Sequence, residues 1–213
     1  MQIVKVNLGK DHNINLSGDW HNGTKMQDSG AILQTVQDTK WTGSFFVGMG
    51  DFIEAITVDD KRYEMALHKS SVAEQYHDVE EILEQIKDQT IIHLMGNHDW
   101  KLSRKYGDYV KIMCDRLGVT YGDYTSIICI YADPNKTISS QHNPDLEKQY
   151  FLYKIYATHG FGSIMSRIDS TSERYHSMNR ALRRKLFLKN SSISVARLNS
   201  FVACSLWISR LVL

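Results

Sequence analysis

The feature that most constrains the fold of this chain is a short apolar run that ends at polar turn residues and then gives way to helix-compatible sequence. The pattern occurs at four places, namely Ile14–Leu16, Phe45–Val47, Ile91–Met95 and Tyr153–Ala157. Apolar runs of this length bounded by Gly, Asp or His predict β-strands. Strands that alternate with helices predict an α/β domain. The 213 residues are enough for one domain with a sizeable core.

The spacing of apolar residues between these runs predicts the helices. In residues 71–87 the apolar side chains recur at helical spacing, with acidic residues on the opposite face, which is the pattern of an amphipathic helix. Further helices are predicted at Tyr109–Leu117 and Glu173–Leu188, and further strand residues at Thr125–Ala132 and Tyr150–Ala157.

Polar side chains that can bind metal ions stand at the ends of the four strands. They are Asp19, His21, Asp51, Asn97, His98, Asp99 and His159. Loops at strand ends converge in α/β folds, and active sites lie there. A set of carboxylate, amide and imidazole ligands without a thiolate suits Mn²⁺, Fe or Zn²⁺. The sequence therefore predicts a metal site at these strand ends.

The order of the strand-end motifs resembles that of the calcineurin-like metallophosphoesterases. The motifs are Gly-Asp-Trp-His at 18–21, Gly-Met-Gly-Asp at 48–51, Gly-Asn-His-Asp at 96–99 and Thr-His-Gly at 158–160. The third is the most specific and looks more like the nuclease and phosphodiesterase branches. The resemblance, over residues 14–162, implies an α/β fold layered as an α/β/β/α sandwich with two mixed sheets. It also implies metal-dependent hydrolysis of phosphoester bonds, with nucleotides or nucleic acids as the expected substrates.

Two divalent metal ions are implied by the same resemblance, with Mn²⁺ expected and Fe, Zn²⁺ or Mg²⁺ as the other options. Asp19 and His21 would bind the first ion, and Asn97 and His159 the second. Asp51 would bridge both ions through its two carboxylate oxygens. Two such cations neutralise phosphoryl oxygens and lower the pKa of a water molecule.

Two residues beside the metals are implied to be catalytic without binding a metal ion. His98 would face the phosphate or the leaving oxygen, where a protonated imidazole can donate a proton. Asp99 would orient His98 by accepting its other N–H, as carboxylates near metal sites do for imidazoles.

The C-terminal part departs from the family pattern. Members normally end with Gly-His-x-His after another strand, whereas here the only histidine after His159 is His176, outside that context. Three protein ligands for each ion predict weakened metal affinity and reduced turnover.

The charge distribution changes in the same part of the chain. Residues 1–173 carry 17 basic and 24 acidic residues, a net charge of −7, while residues 174–213 carry eight basic residues and no acidic one. We expect a metallophosphoesterase domain at 1–190 and an atypical tail at 191–213, with the C-terminal strands missing or altered. Two explanations are open: the chain is truncated or frame-shifted after about Asn190, or it is a divergent member of the family. The basic and apolar character of the tail favours the first.

The sequence is compatible with three classes of function. The leading one is a phosphoesterase, whose hydrolysis of a phosphodiester would depend on added metal. The alternative is a catalytically silent metal-binding or structural module, because the final histidine ligands are absent. A third is a nucleic-acid-binding domain with structural His and Asp residues. Trp20 and Trp100 flank the predicted site, where either stacks on a base or packs in the core, and packing is favoured.

The cysteines and the apolar runs bear on the compartment. Cys114, Cys129 and Cys204 are odd in number and widely spaced, which predicts reduced thiols in a cytoplasmic protein. The first ten residues lack the apolar core of a signal peptide. The apolar run at 198–209 is too short to span a membrane, which takes about 20 residues, so no membrane partner is expected.

Overall fold

The computed structural model describes residues 2–8, 12–65, 71–132, 150–159 and 205–209. The strands are β1 (Gln2–Leu8), β2 (Ile14–Ser17), β3 (Phe45–Gly48), β4 (Thr90–His93), β5 (Thr125–Ala132), β6 (Tyr150–Thr158) and β7 (Ser205–Ser209). The helices are α1 (Ser29–Thr42), α2 (Val72–Glu84), α3 (Asn97–Tyr106) and α4 (Tyr109–Leu117). The predicted α/β class is confirmed.

The described strands form two sheets. One has the order β2-β3-β4 and is parallel. The other has the order β1-β5-β6-β7 and is mixed, because β1 runs parallel to β5 while β6 runs antiparallel to both β5 and β7. The carboxyl ends of β2, β3 and β4 therefore lie at one edge of the parallel sheet.

Two apolar clusters hold these elements together. The first joins helices to the parallel sheet, with members such as Val36 of α1, Leu83 of α2, Met113 of α4 and Phe46 of β3. The second draws on both sheets, with members such as Val6, Val47, Ile91, Ile130 and Ile155. Burying these side chains is the main force that fixes the strand ends in place.

The amphipathic pattern identified two of the four α-helices in the part of the chain that the structure describes. α2 and α4 lie where the sequence predicts them, and α4 has the predicted bounds. Helix α1 was missed because its inward face holds only Ile32, Val36 and Thr39 as buried residues, too few for a clear apolar stripe. Strand β1 was also missed. The helix predicted at Glu173–Leu188 lies outside the described residues.

Strand β7 lies at the outer edge of the mixed sheet. β7 pairs with β6 over five residues, so this length of the outer edge of β6 is covered by part of the atypical tail. The boundary predicted at residue 190 falls outside the described ranges. Within those ranges, none of the helices has the length and apolar character needed to cross a membrane.

Candidate metal centre

The loops that follow β2 and β3 run side by side and bring three predicted ligands together. The backbone N–H of Asp19 donates to the carbonyl oxygen of Gly50 at 2.9 Å. The backbone N–H of His21 donates to the backbone carbonyl oxygen of Asp51 at 3.1 Å. One ligand atom from each of Asp19, His21 and Asp51 lies within 4.8 Å of the others. The first predicted metal-binding group is therefore assembled by backbone pairing between two loops.

The third loop reaches the site because glycine allows close contact. A Cβ atom on Gly96 would lie 2.0 Å from Oδ1 of Asp51, so any side chain there would displace the carboxylate. The same oxygen accepts a hydrogen bond of 2.7 Å from the backbone N–H of His98, in the first turn of α3. Asp51 is thereby held between the two loops.

Backbone strain is concentrated at the same residues. Among the described non-glycine residues, φ is positive at only five, and these include Asp19 (53°), His21 (48°) and Asp51 (50°). Such conformations cost free energy and tend to cluster at functional sites. The chain holds all three predicted ligands of the first group in this unfavourable region.

His159 lies where the fourth strand end meets the other three. Its Nδ1 is 2.7 Å from the carbonyl oxygen of Met49, and because a carbonyl can only accept, this nitrogen carries a hydrogen. Its Nε2 lies 3.0 Å from Oδ2 of Asp51, 3.2 Å from Oδ1 of Asn97 and 3.6 Å from Oδ1 of Asp19. A neutral ring would point a lone pair at three oxygens. The arrangement therefore calls for positive charge, either a second proton on the ring or a metal ion.

Asp51 stays ionised although it is buried. It is 2% exposed, and burial raises the pKa of its carboxyl, but His159 and the backbone N–H of His98 more than offset this, so that the pKa lies below its usual value. A buried carboxylate that keeps its charge is what a bridging metal ligand requires.

A second group of possible ligands contains a residue that the sequence did not single out. His21, Glu54 and His98 offer ligand atoms within 4.8 Å of one another. Oε2 of Glu54 lies 2.8 Å from Nδ1 of His21, and this contact raises the pKa of His21. Glu54 lies three residues after Asp51, and no motif marks it, because only the turn of the loop brings it back to the histidines.

His98 is oriented by the same loop. Its Nδ1 donates to the backbone carbonyl of Glu54, which leaves Nε2 as the nitrogen available to a substrate. Its ring lies edge-on to that of His21, with 4.8 Å between the ring centroids.

The role predicted for Asp99 is wrong. The 2%-exposed carboxylate accepts hydrogen bonds from the backbone N–H of Asp51 at 3.0 Å, from that of Gly96 at 2.9 Å and from the hydroxyl of Tyr76 at 3.0 Å. Burial and the neighbouring charge of Asp51 raise the pKa of Asp99 to about 6. Asp99 thus positions the two loops beneath the ligands. The hydrogen on Nδ1 of His98, which Asp99 was predicted to accept, is accepted by the backbone carbonyl of Glu54.

Most of the residues predicted for the site lie close together. Six lie at one site: Asp19, His21, Asp51, Asn97, His98 and His159. Asn97, His98 and Asp99 belong to helix α3, whereas the sequence pattern placed them in a loop after a strand. Trp20 is in the core at 5% exposure, while Trp100 is 47% exposed. His176 lies outside the described residues.

Comparison with known proteins gives no family. No protein-family model matches the chain, and the searches of curated proteins and of solved structures found no significant match.

Proposed function

We propose that this chain is a metal-dependent hydrolase of phosphoester bonds, similar to the calcineurin-like metallophosphoesterases and acting on phosphodiesters of nucleotides or nucleic acids. The observation that carries the proposal is the position of His159 Nε2, which faces oxygens of Asp51, Asn97 and Asp19 at 3.0–3.6 Å. Residues from four strand ends thus converge on a point that needs a cation.

The donor chemistry of the site fits two divalent ions. Asp19, His21 and Asp51 would hold one ion, and Asp51, Asn97 and His159 the other. Oxygen and imidazole ligands suit Mn²⁺, Fe, Zn²⁺ or Mg²⁺, of which Mn²⁺ is our first choice. Bound there, such ions supply charge neutralisation at the phosphoryl oxygens and a water molecule of lowered pKa.

The protein's own groups have separate tasks in this mechanism. Hydrolysis adds the oxygen of water to phosphorus and breaks the bond to the leaving oxygen, which takes up a proton. An imidazolium ring at His98 would deliver that proton from Nε2 and keep the other hydrogen on Nδ1, which donates to the carbonyl of Glu54. The proton released by the attacking water would then restore the ring. Asp99 holds the backbone of Asp51 and Gly96 in register, so that the ligands keep their spacing during the reaction.

The layered architecture is part of the proposal. One apolar cluster joins the helices to the parallel sheet, and the other contains side chains of both sheets. This membership supports three of the four layers of an α/β/β/α sandwich, namely the helices and the two sheets, and the second helical layer stays a prediction. A cytoplasmic location is supported by Cys114 and Cys129, which are buried free thiols.

A second candidate is a catalytically silent metal-binding module. It is favoured by one sequence observation, the lack of a Gly-His-x-His motif after His159. With three protein ligands for each ion, metal can bind without efficient turnover.

A metal titration separates the candidates. The full chain is titrated with Mn²⁺ by calorimetry while hydrolysis of a bis-aryl phosphodiester is followed, and Asp51→Asn is compared with Asp115→Asn on the exposed face of α4. Metal-dependent hydrolysis that is lost only in Asp51→Asn supports the enzyme. Stoichiometric binding without hydrolysis supports the silent module, and absence of metal binding overturns both.

A further inference from the structure

A cavity lies beside His98. Its volume is about 420 Å³, and its walls come from the loop after β3 and from helix α3. Pockets for small molecules span about 300–1,000 Å³, so the cavity has the size of a nucleotide unit. Because His98 belongs both to its lining and to the candidate metal centre, a ligand in the cavity would lie directly beside that centre.

The lining is cationic. Arg62, Lys101, Arg104 and Lys105 contribute to it, against a single acidic lining residue, Asp60. Asp60 is neutralised by a bidentate pair with Arg62, at 2.9 Å from Nε and 2.6 Å from Nη2. The surplus positive charge is notable because residues 1–173 have a net charge of −7. A local excess of cations in an acidic domain indicates an anionic ligand.

The two lysines that line the cavity are arranged along one helix face. Lys101 and Lys105 are one turn apart on α3, about 6 Å along the helix axis. Both belong to the lining, and so they can contact more than one phosphate of an extended strand.

An aromatic side chain stands next to these cations. Trp100 lines the cavity with 47% of its surface exposed, and the guanidinium of Arg104 lies 5.1 Å from its ring centroid. Trp20, by contrast, is buried and donates from Nε1 to Ser17. An exposed indole beside cations is the combination that binds unpaired bases by stacking while lysines contact the backbone.

We propose that this cavity binds a single strand of nucleic acid next to the scissile phosphate, with a base stacked on Trp100 and phosphates on Lys101 and Lys105. The inference rests on the proposed function, whose substrate class it narrows. An unpaired base is required because a duplex would hide the base face from Trp100. DNA and RNA share the base and phosphate chemistry used here.

Binding without turnover tests the inference. Labelled oligothymidylate and oligouridylate are titrated with the full chain in EDTA, and fluorescence anisotropy is measured at several salt concentrations. Trp100→Ala is matched with Trp41→Ala, whose indole is 92% exposed on α1. The double variant Lys101→Ala/Lys105→Ala is matched with Lys40→Ala/Lys111→Ala, which removes two exposed lysines of α1 and α4.

The expected results differ between the two pairs. Trp100→Ala raises the Kd about tenfold, the loss of one stacked base, and Trp41→Ala leaves it unchanged. The cavity double variant lowers the slope of log K against log salt by about 1.4, since each phosphate contact in a single strand contributes about 0.7. Equal effects of cavity and control variants would overturn the inference. So would equal competition by tripolyphosphate at the same phosphate concentration, because bases would then contribute nothing.

The outcome is separable from that of the proposed function. Oligonucleotide binding that depends on Trp100 without any metal-dependent hydrolysis supports the cavity and counts against the enzyme. Metal-dependent hydrolysis of the bis-aryl diester, with oligonucleotide binding indifferent to Trp100 and the two lysines, supports the enzyme and overturns the cavity assignment. Circular dichroism of each variant confirms that the fold is retained.

Discussion

Nε2 of His159 lies 3.0 Å from Oδ2 of Asp51, which connects the end of β6 in the mixed sheet to the loop after β3 in the parallel sheet. The two residues come from different sheets, so their distance depends on how the sheets pack. The shared apolar cluster of Val47, Ile91 and Ile155 fixes that packing. The candidate site is therefore a product of the core as well as of the loops.

Removal of the Asp99 carboxylate is expected to loosen the loops beneath the ligands. Asp99→Ala leaves the buried N–H groups of Asp51 and Gly96 without their acceptor, which costs about 1–3 kcal/mol for each. Asp99→Asn costs less, because its amide oxygen can still accept both and its amide nitrogen can donate to Tyr76. The free energy of unfolding in urea measures the difference. Equal losses in both variants would contradict a positioning role through these hydrogen bonds.

The Glu54 carboxylate is expected to control the protonation of His21. Glu54→Gln removes the negative charge 2.8 Å from Nδ1, and the pKa of His21, now raised above its usual value, falls. NMR titration of the histidine ring protons in EDTA measures the change. Glu81→Gln, on the exposed face of α2, serves as the control. A pKa of His21 that stays the same in Glu54→Gln would show that the contact is not maintained in solution.

The buried histidine of β4 is expected to make the protein sensitive to acid. His93 is fully buried against Phe46 and Phe52, and burial lowers its pKa to about 3. The unfolded chain binds this proton below about pH 6.5 and the folded chain does not, so stability falls as the pH drops from about 6.5 towards 3. At pH 5 the loss from this group is about 2 kcal/mol.

Unfolding in urea at pH 7 and pH 5 measures the effect of His93. In His93→Phe, which keeps a planar ring but cannot be protonated, this part of the pH dependence disappears. His77→Phe, at a side chain 71% exposed, keeps it. If His93→Phe and the unmodified chain lose the same stability between the two pH values, another group causes the acid sensitivity.

Gly96 is expected to tolerate no side chain. In Gly96→Ala the new Cβ would lie 2.0 Å from Oδ1 of Asp51 and 2.2 Å from the backbone nitrogen of Asp51, so the loops must separate. We expect a loss of about 3 kcal/mol or more, at the upper end of overpacking costs. Gly30→Ala, in the first turn of α1, is the control: its new Cβ would lie 3.4 Å from Oδ1 of Asp28, with no other contact within 4 Å, and it should be neutral or stabilising by up to about 1 kcal/mol. Thermal unfolding of both variants checks the contrast.

The regular elements were predictable to the extent that their apolar residues are periodic. Helices α2 and α4 and the strands before the four motifs follow from local spacing. Helix α3 was missed because Asn97, His98 and Asp99 look like turn residues at a strand end. The signal that could have found it is Asp99, an acidic residue three positions after Gly96. Its carboxylate caps the helix by accepting the backbone N–H of Gly96.

The sequence by itself determined which polar residues stand at the strand ends and in what order, because strand and turn preferences act over a few neighbouring residues. Only the tertiary structure decided their partners. It placed His159 on Asp51, turned Glu54 towards His21, gave Asp99 to the backbone of Asp51, buried Trp20 and left Trp100 exposed beside a cationic cavity. These relationships join residues far apart in the chain, or depend on a loop turning back on itself. They are set by sheet packing, backbone strain and burial, none of which short-range sequence patterns specify.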